Sequence, residues 1–225
     1  MALPTPTTSR AAMFGRLADY WTIVYARTWK GSVISSFVVP LLYVLAMGVV
    51  LGRFVTPDPA RLEGASTYLA FVAPGLVAAQ SMQLIFGELT YPVMGMVKWH
   101  KSYFGMIATP LRVTDVALAH LAYVVFRVAT ASVVFLLVLV PFHVFASPLG
   151  VVGAFFVQLL VGLAFATPIY ALSAGLKDES AFSLLFRLGM IPLFLFSGAF
   201  FPISNLNPVL GAIAKLTPLW HGVDL

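Results

Sequence analysis

The side chains best able to do chemistry in this chain are polar residues that fall inside long apolar stretches. An ionisable side chain at membrane depth is costly, so it indicates a functional pathway or a specific partner. Arg127 lies seven residues after His120, on nearly the same face of a predicted helix. We predict that Arg127 faces a polar interior with glutamines as neighbours, in either a substrate path or a structural hydrogen bond. The candidates for this interior are Gln80, Gln83, His120, Arg127 and Gln158.

The sequence lacks the patterns of the common enzyme classes. No glycine is followed by lysine, so the chain has no phosphate-binding loop of the ATPase type. The four histidines do not have the spacing of metal ligands. No two carboxylates lie within predicted spans, and Ser197 has no histidine predicted beside it at membrane depth. We therefore expect no enzymatic activity, no bound cofactor and no metal.

Five apolar stretches must position these side chains. A helix that crosses the roughly 30 Å hydrocarbon core needs roughly 20 mostly apolar residues. The chain is 60% hydrophobic and 9% charged, whereas soluble domains average about 25% charged residues. The sequence therefore predicts an all-α integral membrane protein, a single transmembrane domain over residues 1–225. The predicted spans are 33–51, 68–86, 116–140, 149–172 and 182–201.

The distribution of basic residues predicts the orientation of the bundle, because cytoplasmic loops retain Lys and Arg. Eight such residues flank the spans on the N-terminal side and three on the other side, so we expect a cytoplasmic N-terminus. The net charge of +5 is scattered among the spans, and we expect no nucleic-acid partner. The eight are Arg10, Arg16, Arg27, Lys30, Lys98, Lys101, Arg112 and Lys177, and the three are Arg53, Arg61 and Lys215.

Three segments outside the spans have features of their own. Residues 10–30 have aromatics on one helical face and cations on the other, which predicts an interfacial helix, either a plain anchor or a platform for a partner. Residues 87–115 form an apolar and basic cytoplasmic loop suited to docking in a groove, or a loop that only joins two spans. Residues 202–220 predict short helices that form an outer lid.

Three groups of residues resemble the permease subunits of type-2 ABC exporters, most closely the branch of lipo-oligosaccharide (nodulation-factor) and drug-export permeases. The third group is the most specific. The groups are Phe71-Val72-Ala73-Pro74-Gly75 with Ser81-Met82 and Glu88-Leu89-Thr90-Tyr91; Ala108-Thr109-Pro110-Leu111; and Phe196-Ser197-Gly198-Ala199-Phe200-Phe201-Pro202 with Pro218-Leu219 and Val223-Asp224-Leu225.

The resemblance implies an export permease in a bacterial inner membrane. It would work as a pair, expected to be a homodimer in the membrane lipid, with two separate cytoplasmic ATPase subunits that use ATP and Mg²⁺. The first cytoplasmic loop would dock the ATPase, and the turn at 177–180 would be a smaller contact. The implied ATPase-coupling residues are Glu88, Tyr91, Lys98, Lys101, Lys177, Asp178 and Glu179. The implied lid residues are Phe200, Phe201, Pro202 and Pro218.

One departure from the family concerns the number of spans. The family has six, and this sequence ends where the sixth should begin, so we expect a truncated product or a fragment. Two other functions stay open. One is a secondary transporter or channel that uses Arg127 and His120 as a charge relay, and the other is a truncated membrane scaffold that does not transport.

Overall fold

All regular secondary structure in the described part of the chain is helical. The computed structural model describes residues 10–54, 64–65, 67–145, 147–200, 202–203 and 206–224. Four helices in these ranges are long and apolar enough to cross a bilayer, which confirms the all-α membrane fold. They are Ala12–Gly48, Tyr68–Trp99, Val113–Phe142 and Pro148–Gly175.

The helices follow one another with short connections, and several continue into wider π-helical or tighter 3₁₀ turns. Their bounds are α1 Arg10–Val44, with further turns Leu45–Val50 and Leu51–Arg53; α2 Tyr68–Leu89; α3 Tyr91–Met94, continued by Gly95–Trp99; α4 Ser102–Ile107; α5 Val113–Leu139, continued by Val140–Phe142; α6 Pro148–Gly175; α7 Ser180–Leu184, continued by Leu185–Met190; α8 Ile191–Leu195; α9 Pro208–Lys215; and α10 Pro218–Asp224.

The N-terminal segment and the first span form one helix in the structure. The sequence predicts two elements, at 10–30 and 33–51, whereas α1 and the helical turns that follow it continue through both without a break. Only Gly31 and Ser32 separate the two patterns, and one glycine costs a helix about 1 kcal/mol relative to alanine, too little to end it. Leu17 and Trp21 are buried against the bundle. The predicted interfacial position of 10–30 stays a prediction.

Helix contacts show that α1 and α5 run in parallel. Trp21 stacks on His120 near the start of both helices, and Tyr25 contacts Phe126 one turn later. In the same way, Ser81 donates a hydrogen bond to Gln158 and Phe86 packs on Phe165, so α2 and α6 are parallel to each other.

The four long helices therefore alternate in direction along the chain. The N-terminus of α1, residues 90–112 and residues 176–180 lie at one end, which we call the N-terminal end. The start of α2, residues 143–145 and 147, and the described residues after α8 belong to the opposite end. This grouping is the one that the predicted loops require, since it places the two proposed cytoplasmic connections together.

The fifth predicted span is shorter than expected. The helical segment runs from Ser180 to Leu195 and falls below the length of the other four, whereas the sequence predicts 182–201. The helix ends at Leu195, and the chain then turns at Gly198, whose φ of +87° lies in the left-handed region that favours glycine.

The predicted lid is partly inserted into the bundle. α9 is largely exposed, but α10 packs between α2 and α6, with Leu219 fully buried. At Gly222 an added Cβ would collide with Cγ2 of Val161, so any other residue would force that side chain or α10 to shift. Of the four predicted lid residues, Phe200 packs its ring 4.8 Å from that of Phe194.

The other lid residues differ in their surroundings. Pro202 is half-buried, and Pro218 is exposed at the start of α10. Phe201 lies outside the described residues.

Close packing at Gly75 generates the first prediction. A Cβ at this position would lie 2.4 Å from Ala199 Cα, a backbone atom that cannot turn aside. We expect Gly75→Ala to destabilise the protein by about 1–3 kcal/mol, the usual cost of overpacking. The measurement is the thermal unfolding temperature in detergent.

The matched control is Gly153→Ala in α6, where an added Cβ meets nothing within 4 Å. Alanine at this helical site should leave stability unchanged or raise it slightly. Equal unfolding temperatures for the two variants would contradict the packing described here.

Candidate functional site

Residues 90–112 form the main structured connection at the N-terminal end, and we call them the connecting segment. α2 reaches Leu89 and is followed almost directly by α3, with the Thr90 hydroxyl donating to the carbonyl of Phe86 at 2.6 Å. Lys101 adopts a left-handed conformation with φ of +52°, and this turn separates α3 from α4. The segment is therefore two short helical pieces joined by a tight bend.

One face of the connecting segment is buried and the other is exposed. Val93 and Met94 pack into the bundle. Trp99 and Phe104 are 53% and 55% exposed, and Tyr91 is also exposed. Exposed aromatic residues of this kind on short helices suit an interaction surface more than a free loop.

The structure brings the two predicted coupling elements into contact. The ring of Tyr91 meets the ring of Phe182, just after the turn at 177–180, at a centroid distance of 4.9 Å. Hydrogen bonds from Ser180 lower the pKa of Asp178, and the positive charge of Lys98 acts in the same direction. Lys101 is exposed on the same end of the protein.

The turn itself is a polar, solvent-facing element. Lys177, Asp178 and Glu179 are all exposed, and the Asp178 carboxylate accepts a hydrogen bond from the Ser180 backbone N–H at 2.9 Å. Together with the connecting segment, this turn forms one surface, which we call the docking surface.

Glu88 does not belong to the docking surface. It lies in the last turns of α2, where its carboxylate accepts from the Arg127 guanidinium at 2.6 Å. Their side chains are 24% and 11% exposed. Arg127 also donates to the Ser32 hydroxyl. The pair therefore ties α1, α2 and α5 together in the bundle interior.

The glutamines predicted as neighbours of Arg127 lie elsewhere. Gln158 is buried and accepts from the Ser81 hydroxyl at 3.4 Å. Gln80 and Gln83 are half-buried on α2, and within the described chain neither forms a hydrogen bond with Arg127. The predicted span ends at residue 86. Glu88 would have been a candidate partner of Arg127 only if the predicted helix had been extended beyond that residue.

His120 is enclosed by aromatic rings. The indole of Trp21 stacks on it at 4.3 Å with an interplanar angle of 19°. Its Nδ1 is hydrogen-bonded to the hydroxyl of Tyr103 in α4, and the Tyr170 hydroxyl donates to that of Tyr103 at 3.0 Å. We call Trp21, Tyr103, His120 and Tyr170 the aromatic cluster.

The sequence predicts His120 as a polar candidate but gives no indication that Trp21, Tyr103 and Tyr170 surround it. Tyr103 lies in a loop pattern and Tyr170 in a uniformly apolar stretch. A histidine within a predicted span requires a hydrogen-bonding partner, and that requirement was the available signal.

A comparison of sequences places this architecture in a known family. The sequence profile described as "ABC-2 type transporter" matches residues 14–225. The chain belongs to the ABC-2 type transporter family. It is accordingly a multi-pass membrane transport permease, as the resemblance noted from the sequence implies.

Similar permeases include several proteins called "Nodulation protein J". The one from Rhizobium leguminosarum bv. trifolii is 30% identical over 212 residues, which covers 91% of this chain and 79% of that protein. Those of Neorhizobium galegae and Rhizobium meliloti (strain 1021) are 27% and 26% identical, with the same coverage.

The ion pair generates the second prediction. Arg127→Met should leave the Glu88 carboxylate without its partner and destabilise the permease by up to about 3–5 kcal/mol, the range for broken buried pairs. Glu88→Gln keeps a hydrogen-bond acceptor, so its loss should be smaller. Thermal unfolding in detergent measures both changes.

Arg187→Met serves as the control, because Arg187 is exposed and makes no such pair within the described chain. It removes the same charge from a helix and should shift the unfolding temperature little. If Arg127→Met unfolds no earlier than Arg187→Met, the ion pair contributes no stability.

Proposed function

We propose that this permease is the membrane-spanning subunit of an ATP-driven exporter for an amphipathic or polymeric substrate. It would work with two separate cytoplasmic ATPase subunits that use ATP and Mg²⁺. The observation that supports this best is the contiguous docking surface, in which the ring of Tyr91 meets that of Phe182. Two loops far apart in sequence form one contact area at a single end of the bundle.

The chemistry of this surface suits a protein groove. Exposed aromatic residues supply apolar area that is removed from water on docking. Each contributes most to the binding free energy when the partner covers it fully. Lys98, Lys101 and Lys177 add positive charge around that apolar centre. A short helix inserted into a groove is a recurring mode of peptide recognition.

The cargo and the assembly belong to the same proposal. The resemblance to lipo-oligosaccharide and drug-export permeases favours an amphipathic or polymeric cargo, and export would need a second copy of this chain in a bacterial inner membrane. The docking surface would face the cytoplasm, in agreement with the basic residues at that end.

The competing function is a secondary transporter or channel with a charge relay between Arg127 and His120. The structure gives these side chains different partners. Arg127 pairs with Glu88, and His120 bonds with Tyr103. This separation favours two structural connections over a relay.

The docking surface generates the third prediction. Trp99→Glu places a negative charge at the exposed apolar centre and should reduce recovery of the ATPase with the purified permease at least about tenfold, since covering an aromatic anchor is often worth more than 1.4 kcal/mol. The measurement is co-purification of the partner ATPase in detergent.

Val209→Glu in α9 is the control, because it adds the same charge to an exposed apolar site at the opposite end of the bundle. Its ATPase recovery should equal that of the unmodified chain. Normal recovery with Trp99→Glu would contradict the proposal, and recovery lost in both variants would show that the charge acts through folding.

The proposed orientation is tested separately. The sequence contains no cysteine, so one introduced thiol reports one position. We expect a membrane-impermeant maleimide to label Leu216→Cys in intact cells but Lys98→Cys only after the membrane is opened. Leu216 is 84% exposed. Labelling of position 98 from outside would show that the orientation is the opposite one, with the docking surface on the side of the membrane that has no ATP.

A further inference from the structure

We propose that Tyr103 is a positioning residue that links movement of α4 to the Glu88–Arg127 ion pair, through His120 and one face of α5. The inference rests on the proposed function, because it concerns how movement at the docking surface reaches the bundle interior.

The first link is a hydrogen bond from the connecting segment into the bundle. Tyr103 lies in α4, which has no fully buried residue, and is itself half-buried. Its hydroxyl accepts from Tyr170 at 3.0 Å, so its own hydrogen is free to bond Nδ1 of His120. α4 is thereby joined by one side chain to both α5 and α6.

Burial raises the pKa of Tyr103. The phenol therefore keeps its proton at physiological pH and remains a hydrogen-bond donor. Its bond to His120 is directional and lies in a poorly solvated site, where polar contacts are stronger than in water.

The second link runs along α5. His120, Tyr123 and Arg127 follow one another at intervals of three and four residues, so they occupy one helical face. Trp21 of α1 stacks on both His120 and Tyr123, at 4.3 and 4.5 Å. The face ends at Arg127, which holds Glu88 of α2 and Ser32 of α1.

The two links form a continuous series of contacts from α4 to the ion pair. A displacement of α4 that breaks the bond between Tyr103 and His120 would free the imidazole of His120, on which Trp21 stacks, to change its orientation. A displacement that keeps the bond must carry α5 with it. Because packed interiors have discrete arrangements, such a contact transmits motion as a switch between states.

The experiment uses the permease with its ATPase in lipid vesicles, with Leu216→Cys as the reporter at the opposite end. The readout is the change in maleimide labelling rate on addition of ATP, divided by the ATP hydrolysed. Tyr103→Phe removes only the hydroxyl and should lower this ratio about threefold to tenfold, the range that corresponds to one buried hydrogen bond.

Tyr43→Phe is the matched control. Tyr43 is half-buried in α1 towards the opposite end, and its hydroxyl forms no hydrogen bond within the described residues. Its ratio should be unchanged. His120→Gln, which can still accept a hydrogen bond, should retain more of the ratio than His120→Leu, although both remove the ring.

A double-mutant cycle separates transmission from local stability. If Tyr103→Phe and Glu88→Gln act through one series of contacts, the loss in the double variant should be smaller than the product of the two single losses. Independent multiplication of the losses, or an unchanged ratio in Tyr103→Phe, overturns the inference.

The failure of the proposed function gives a different result. If ATP changes the labelling of position 216 in no variant, including the one without further changes, both the ATP-driven mechanism and this inference fail. If ATP changes labelling equally in all variants, the proposed function stands and Tyr103 has no positioning role.

Discussion

The ion pair between Glu88 and Arg127 is the interaction on which the arrangement of the bundle depends. Hydrocarbon cannot solvate a carboxylate or a guanidinium, so each of these side chains needs its partner. Arg127 reaches Glu88 on α2 and Ser32 on α1 at once. The main effect of the pair is to restrict how the helices can pack, because it excludes arrangements of the helices that would separate the two charges. Apolar helices in lipid otherwise slide and rotate at little cost.

The other polar contacts follow from the same constraint. His120 lies about two turns from Arg127 on α5, and its enclosure by the aromatic cluster fixes the end of the bundle that carries the connecting segment. Ser81 and Gln158 join α2 to α6 deeper in the structure. Each contact joins helices from different parts of the chain, so the helix order is specified by a few hydrogen bonds within a surface of otherwise similar apolar residues.

The membrane character and four of the spans could be predicted from the sequence because hydrophobic length is a strong local signal. The end of the fifth helix could not, since the apolar sequence continues past Leu195, where the helix ends. Glu88 shows a related difficulty. An acidic residue two positions beyond an apolar stretch resembles the start of a loop, and only its tertiary contact with Arg127 places it within a helix.

The candidate site was predictable in part. The residues of the docking surface follow from a local pattern of aromatic and basic side chains, whereas Tyr103 and Tyr170 depend on how α4 and α6 pack. The lid is intermediate. Proline and glycine predict short helices there, but the insertion of α10 depends on the close approach of Gly222 to Val161, two residues far apart in the sequence.

The unbroken course of α1 has a mechanical consequence. At about 1.5 Å per residue, its 35 residues extend over roughly 52 Å, well beyond the hydrocarbon thickness. A rod of that length turns a small tilt into a large excursion: pivoting by about 5° around its centre moves each tip by roughly 2 Å. Any protein that pressed on the first turns of α1 would therefore tilt the whole helix about a point near its centre, close to the guanidinium of Arg127.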